Sequence, residues 1–410
     1  MKVEDESVSA ADGIPAELVS KVRRGRLARI REQMVARDIG ALVLVDPVNV
    51  RYATDTRNMQ IFTARNPARY AFIAAEGPVV LFEFAGCAHL ADGNEIVDEV
   101  RIATTASYVA AGGRLRDATR RWAAEVADLA RSHGGGNRRL GLERFNAAAA
   151  FALADEGFEI VDAQEAVERA RCIKVSGEIA LMRSSLAAVE AGVAKLEAAL
   201  HPGVSEQALW STLWTHVIET GGDYVETRLL NSGARSNPWF QECSDKIIDQ
   251  GELVLLDTDV VGRYGYYADF SRTFLCGEVE PRPEQRQCYR LAYEQIQRNL
   301  ELMRPGMSFA EVSEKGWRIP QRYHAHRYYL LAHGIGMTGE YPYILYKDDY
   351  DAGGYDGVIE TGMVLCVESF IGAEDGGEGV KLEQQIQITD SGYELMSNFP
   401  FEPALLGSEV

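Results

Sequence analysis

The 410-residue sequence is short of positive charge, of paired cysteines and of long apolar runs, and each shortage excludes a class of function. Lys and Arg total 42 against 61 Asp and Glu, a formal net charge of −19, which argues against nucleic-acid phosphates and anionic membranes as main partners. The most apolar stretch, 70–84, is interrupted by Glu76 and Glu83 and falls short of the ~18 residues of a membrane span. The start, Met1 to Ser7, lacks the basic and apolar regions of a secretory signal. Cys87, Cys172, Cys243, Cys276, Cys288 and Cys366 are scattered with no Cys-x-x-Cys pair, so they read as buried free thiols of a reducing cytoplasm. Nothing repeats at a period of roughly 20–50 residues, which removes solenoids and propellers.

What is present reads as a globular chain, 46% hydrophobic and 25% charged, long enough for two or three domains at ~100–200 residues each. Residues 1–15 read as a flexible polar arm. Lys21, Arg23, Arg24, Arg26, Arg29 and Arg31 then surround Leu27, Ile30 and Met34 at helical spacing. That pattern predicts a packed helix with a solvated basic face in preference to an anion-binding helix. Apolar runs at 41–45, 70–75 and 79–83 predict strands, and 114–131 and 145–156 predict helices, giving an α/β domain over 16–170. His133-Gly134-Gly135-Gly136 lacks the Lys and Ser/Thr of a phosphate loop and predicts a turn.

Over 171–410 the pattern changes to helices at 176–199 and 205–220, strands at 252–259 and 271–276, helices at 281–303 and 308–316, and strands at 363–369 and 380–388. Helices first and a late set of antiparallel strands predict an α+β class for the whole chain. The apolar run Leu253-Val254-Leu255-Leu256 ends in Asp257-Thr258-Asp259, and strand periodicity would put both carboxylates on one face. Asp269, Glu368 and Glu383 also adjoin apolar runs, and His333 sits in Leu331-Ala332-His333-Gly334-Ile335-Gly336. Like charges at buried positions are costly unless something positive neutralises them. Five carboxylates with one imidazole suit divalent first-row ions better than Mg²⁺ alone.

The series Asp257-x-Asp259, Asp269, His333-Gly334-Ile335-Gly336, Glu368 and Glu383, with Glu360-Thr361-Gly362-Met363 before Glu368, resembles the creatinase/methionine-aminopeptidase superfamily, the pita-bread fold of prolidases and aminopeptidase P. Arg171-Cys172-Ile173-Lys174 with Glu178-Ile179 is similar to the start of the catalytic domain in two-domain members. The resemblance implies a creatinase-like N-terminal domain, a pita-bread catalytic domain over 171–410, and two divalent ions (Fe, Mn, Co, Ni or Zn) on Asp257, Asp259, Asp269, His333, Glu368 and Glu383. Within the superfamily, Asp46-Pro47-x-Asn49-x-Arg51-Tyr52-Ala53-Thr54-Asp55, Asn58-Met59-Gln60, Glu226-Thr227-Arg228-Leu229-Leu230 and Asn237-Pro238-Trp239-Phe240-Gln241-Glu242-Cys243 resemble the metal-dependent dimethylsulfoniopropionate lyases. The Asp-x-Asp pair is likewise similar to that family.

The peptidases of the superfamily use one His ahead of the first metal Asp and another seven residues after the metal His. Here those places hold Pro238-Trp239-Phe240 and Glu340, removing two donors that would each be worth about 3 kcal/mol to an oxyanion. The resemblance therefore implies β-elimination of dimethylsulfoniopropionate or a similar small zwitterion to acrylate and dimethyl sulfide. The alternatives are hydrolysis of an amide or C–N bond in a small zwitterion or X-Pro dipeptide, and a metal-free binding module. The acidic residue that the lyases carry six positions after the metal His is Gly339 here. Glu340, one step on, is expected as the base, its carboxyl raised if Met337 and Tyr341 adjoin it; the competing reading pairs it with a neighbouring Arg. Tyr328 is expected at the reaction centre, and Phe62, Trp239, Tyr328 and Tyr341 as ring faces for the substrate cation. The resemblance also implies a homodimer, with Phe62 reaching the other subunit's site.

Overall fold

Apolar runs flanked by turn residues become the strands of the first unit, which runs to Arg171 and takes in Val175–Gly177. The computed structural model describes residues 13–407, so the arm expected over 1–15 lies, up to residue 12, outside the described residues. The strands are β1 (Ala41–Leu44), β2 (Tyr70–Ala74), β3 (Val79–Glu83), β4 (Glu99–Ile102), β5 (Arg139–Leu142) and β6 (Glu159–Asp162). They form one sheet in the order β4-β3-β2-β1-β5-β6. β1 pairs antiparallel with β2 and parallel with β5, so the sheet is mixed. Helix Leu115–His133 lays Trp122 and Val126 on Tyr70, Phe72 and Phe82. His133–Gly136 is the turn that ends this helix. β4, β5 and β6 escape the sequence pattern because each is four residues long and three of them begin or end on a charged side chain or glycine-broken run.

Helix Ala16–Ala36 buries Val22, Leu27, Ile30 and Met34 as its spacing requires. Its basic face is not simply solvated. Arg23 and Arg26 hold Asp55 at 2.6 and 2.9 Å, Arg23 and Arg24 reach Glu95, and Arg31 donates to the Ala74 carbonyl. The positive charge is thus spent within this unit.

The Asp46-to-Asp55 motif also serves this scaffold. Asp46 caps helix Pro47–Thr54 by accepting from Val48 N at 2.8 Å, with Pro47 in the first turn, where its missing N–H costs nothing. Glu143 accepts from Val45 N, Asp46 N and the Asn49 amide, and Tyr52 donates to the Ala170 carbonyl. Burial, then the Asp46 carboxylate, push Glu143 up to about 7 from an ordinary 4.5. A carboxyl raised in the folded state contributes stability that is whole below pH 4.5 and is lost as pH climbs through about 7. Glu143→Gln should therefore gain on the wild type between pH 4 and 8, by on the order of 3 kcal/mol, read as a widening difference in melting temperature. A difference that stays constant across that interval would refute the shift.

The second unit comprises Cys172–Lys174 and the chain from Glu178 onward. Helices Glu178–Ala198 and Glu206–Glu219 pack on each other. Then β7 (Tyr224–Val225), β8 (Leu230–Ser232), β9 (Leu253–Asp257), β10 (Val260–Val261), β11 (Tyr267–Ala268) and β12 (Ser271–Leu275) divide into two small sheets, β11-β10-β7 and β12-β9-β8. The remaining strands, β13 (Leu330–Ile335), β14 (Gly339–Leu345), β15 (Val364–Ile371), β16 (Val380–Thr389) and β17 (Gly392–Leu395), form an antiparallel sheet ordered β14-β13-β15-β16-β17.

Every residue of β15 is buried, because the sheet is covered on both faces. Helix Pro283–Leu300 covers one face: its Tyr289, Ala292 and Ile296 join Leu365, Val367, Leu382 and Ile386 in a single core. β9 and β12 pack on β16 from the other side. Alternation then sends Cys366, Glu368, Lys381, Glu383 and Gln385 away from the helix, toward β9 and β12. Among the described residues no helix is long and apolar enough to cross a membrane, and all six cysteines are free.

Candidate metal centre

Strand pairing assembles the acidic cluster. Glu368 and Glu383 are direct cross-strand partners on β15 and β16, and His333 is paired with Cys366 on the same face. Asp257 ends β9 opposite Ser271, the first residue of β12. The strand expected over 252–259 breaks at this point: Asp259 takes a left-handed backbone, φ 43°, before β10 begins. Asp257 and Asp259 are therefore not brought together by strand alternation. The turn at Asp259 does it, held by Thr227 Oγ1 on Oδ2 and by Tyr267 Oη on Oδ1 at 2.9 Å. Ligand atoms of Asp257, Asp259 and Asp269 lie within 4.8 Å of one another, as do those of Asp257, Glu368 and Glu383, and those of Asp269, His333, Cys366 and Glu383.

His333 Nε2 is 3.1 Å from Glu368 Oε1, 3.4 Å from Glu383 Oε1 and 3.7 Å from Asp269 Oδ2. Its Nδ1 lies 2.9 Å from the Gly334 carbonyl, an arrangement that reserves Nε2 for a ligand. Asp269 Oδ1, Glu368 Oε1 and Glu383 Oε1 are buried and accept no hydrogen bond from the protein. Two bare glutamate oxygens converging on one imidazole nitrogen, with a third bare carboxyl oxygen on Asp269, are a donor set that fits divalent first-row cations. Cys366 joins this group, but burial and then Glu383 push its thiol well up, and its Sγ donates to the Asp269 carbonyl.

The electrostatics carry the same signature. Burial, then neighbouring Asp257, raises Asp259 to about 8. Burial and the surrounding carboxylates hold Asp269 well above the usual range. Burial raises Asp257 in spite of Lys381. Burial pulls the His333 imidazole down, but Glu368 and Glu383 outweigh it and hold it well above its ordinary value. Burial and Glu368 push Glu383 up, yet Lys381 and His333 bring it below the normal range. The cluster carries more negative charge than its own cations can neutralise.

The other expected residues divide. Tyr328 stands among these groups; burial, then Glu368, raises its phenol far above the usual value, so it stays neutral and keeps a proton to donate. Lys381 Nζ lies 5.4 Å from the Tyr328 ring and 5.6 Å from the Trp239 ring, so the ring faces expected for a substrate cation are already turned to an ammonium of the chain itself. The neighbouring exposed rings are Phe240, 5.5 Å from Tyr328, and Tyr329, 5.2 Å from it. Tyr341 stacks on Tyr355 at 5.8 Å and packs against Phe309. Phe62 belongs to the first unit, half exposed on helix Gln60–Arg65 with Phe84 at 6.3 Å.

Glu340, expected as the base, is not in the groups whose ligand atoms lie within 4.8 Å of one another. It pairs across the sheet with Gly334, so its side chain leaves the face that His333 occupies. Its carboxylate lies against Gly336, where a Cβ would stand 2.6 Å from either oxygen, and Oε1 accepts from Lys174 Nζ at 2.5 Å, both groups buried. The pairing expected with a neighbouring Arg is thus made by a Lys of the Arg171-to-Lys174 junction. Gly339 is the residue on the His333 side: a Cβ there would meet only His333 Nδ1, at 4.0 Å.

Sequence reasoning missed Lys381, Ser271, Thr227 and Tyr267. Ser271 Oγ is 2.7 Å from Asp257 Oδ1 and 2.8 Å from Glu383 Oε2. Lys381 had a readable signal, since a Lys two residues before a buried Glu on a strand shares its face.

Comparison with known proteins follows the same lines. Residues 180–390 match the metallopeptidase family M24, and residues 26–173 match the creatinase/prolidase N-terminal domain. The chain is 38% identical to the dimethylsulfoniopropionate lyase DddP of Roseovarius nubinhibens over 97% of this chain and 90% of the relative. It is 37% identical to the protein of that name from Roseobacter denitrificans, over 95% and 89%. Among solved structures, an Xaa-Pro dipeptidase from Bacillus anthracis superposes with a TM-score of 0.72 over 93% of this chain and 99% of that one, at 22% identity.

Proposed function

Because the chain belongs to metallopeptidase family M24 and, within it, to the dimethylsulfoniopropionate lyases, we propose that it cleaves dimethylsulfoniopropionate, or a close zwitterionic analogue, by β-elimination. The observation that carries this reading is similarity over both units to lyases, joined to a donor set without the two extra histidines of the peptidases. We assign Asp257, Asp259, Asp269, His333, Glu368 and Glu383 as the residues that would hold two divalent ions. When bound, such ions supply Lewis-acid stabilisation of charge developing on a substrate carboxylate as its α-proton leaves.

The chain's own groups orient the zwitterion. The substrate carboxylate would lie inward, toward the residues that hold the ions, and the sulfonium outward, away from them. Phe240 and Tyr329 offer the exposed ring faces on that outer side. The Tyr328 phenol donates a hydrogen bond to the carboxylate. Loss of the α-proton to a base forms the Cα–Cβ double bond of acrylate, and dimethyl sulfide leaves with the electrons of the C–S bond. Gly339 opens the His333 side to substrate where a longer side chain would fill it.

The test is direct. Protein loaded in turn with Fe, Mn, Co, Ni or Zn and given dimethylsulfoniopropionate should release dimethyl sulfide into the headspace, and chelation should stop it. Silence with every metal would overturn the lyase reading. Proline or amine released from X-Pro dipeptides would put hydrolysis in its place.

A further inference from the structure

We infer that Lys381 is a built-in cation of the acidic centre, which holds the ligand carboxylates in place before any metal arrives. This rests on reading the cluster as a metal centre and not on the identity of the substrate. Lys381 is fully buried on β16, two residues before Glu383 and on the same face. Its Nζ lies 2.7 Å from Glu368 Oε2, 3.0 Å from Glu383 Oε2, 3.4 Å from Asp257 Oδ2 and 2.8 Å from Ser271 Oγ. A fully buried ammonium is tolerable only where anions surround it, and three do.

The division of the oxygens gives the ammonium its role. In both glutamates Lys381 takes Oε2, while Oε1 stays bare and faces His333 Nε2. Lys381 therefore stands behind the ligands and not in front of them, and an ion bound on the Oε1 side would leave its contacts intact. Its Nζ lies over the rings of Trp239 and Tyr328, whose faces help to hold the charge there. With ions bound, when the five carboxylates would be ionised and His333 neutral, one ammonium leaves four negative charges, the amount that two divalent ions balance. With Lys381 the loaded centre is neutral, and without it one negative charge is left over. The metal-free state, which has fewer cations, depends on Lys381 more than the loaded state does.

That asymmetry is measurable without substrate. The full chain would be stripped by chelation and melted with and without saturating zinc, metal content being followed in parallel. Metal-free Lys381→Met should melt lower than metal-free wild type by on the order of 10 °C. With zinc bound the deficit should shrink to a few degrees, and Lys381→Arg should stay near wild type in both states. Equal losses in the two states would make the lysine an ordinary scaffold residue and overturn the inference, as would a Lys381→Met protein that binds no zinc. Lys381→Gln, which keeps a donor without the charge, covers a Lys381→Met chain too unstable to purify. Folding of either variant only when zinc is present supports the proposal, and failure of both to fold with zinc overturns it. Dimethyl sulfide release plays no part in these readouts, so the outcome is independent of the lyase assay.

Discussion

With His333 replaced by alanine, the protein is expected to lose metal and to turn over at least ~1000-fold more slowly. His333 is the single imidazole of the cluster, and its Nε2 stands between Glu368 Oε1, Glu383 Oε1 and Asp269 Oδ2. A bound cation contributes several kcal/mol to a charge-developing step, and about 4 kcal/mol corresponds to a thousandfold in rate. Asp269→Asn should act the same way on metal and turnover but oppositely on the stability of the metal-free protein. Its carboxyl is held well above the usual range by burial and by Glu383, so a neutral amide relieves a strained charge. Metal analysis with single-turnover rates checks the first part, and melting of the stripped proteins checks the second. Unchanged metal stoichiometry in both variants would refute the ligand assignment.

Glu340→Gln is the second large effect, and it is expected to appear in stability. The change removes the carboxylate that lies 2.5 Å from the buried Lys174 ammonium. Breaking a buried ion pair from one side costs about 3–5 kcal/mol, which in a unit of this size lowers the melting temperature by on the order of 10 °C. Lys174→Met should cost a similar amount, whereas Lys174→Met with Glu340→Leu should recover most of the loss, since an apolar pair carries no stranded charge. Metal content should not change, because Glu340 leaves the sheet on the face opposite His333. A stable Glu340→Gln protein with intact metal and no turnover would falsify this reading and restore Glu340 as the base.

The two sites show where sequence reasoning succeeds and where it stops. The apolar runs at 363–369 and 380–388 became β15 and β16, and the helices expected at 281–303 and 308–316 became Pro283–Leu300 and Phe309–Lys315. Long periodic segments are legible because burial demands the period. β13 and β14 were not, since Leu330–Ile335 and Gly339–Leu345 carry two glycines, a proline and a mid-strand irregularity that erase the alternation. Glu340 was expected as the base because it stands one step past the acidic position of the lyases, next to Gly339. The structure pairs it across the sheet with Gly334 and sets its carboxylate on Lys174.

The six acidic and imidazole positions were readable from the chain alone, because carboxylates adjoining buried apolar runs need a positive partner wherever the strands meet. That a charge of −19 argues against nucleic-acid phosphates and anionic membranes was equally a matter of composition. What composition and spacing could not decide is which atoms face which. Only the tertiary structure brings Lys381 behind Glu368 and Glu383, sets Ser271 between Asp257 and Glu383, and gives the Trp239 and Tyr328 faces to an ammonium of the chain. Charge balance is local: it acts over a few ångströms, between residues up to 126 positions apart from Asp257 to Glu383, and that proximity exists only once the strands are paired.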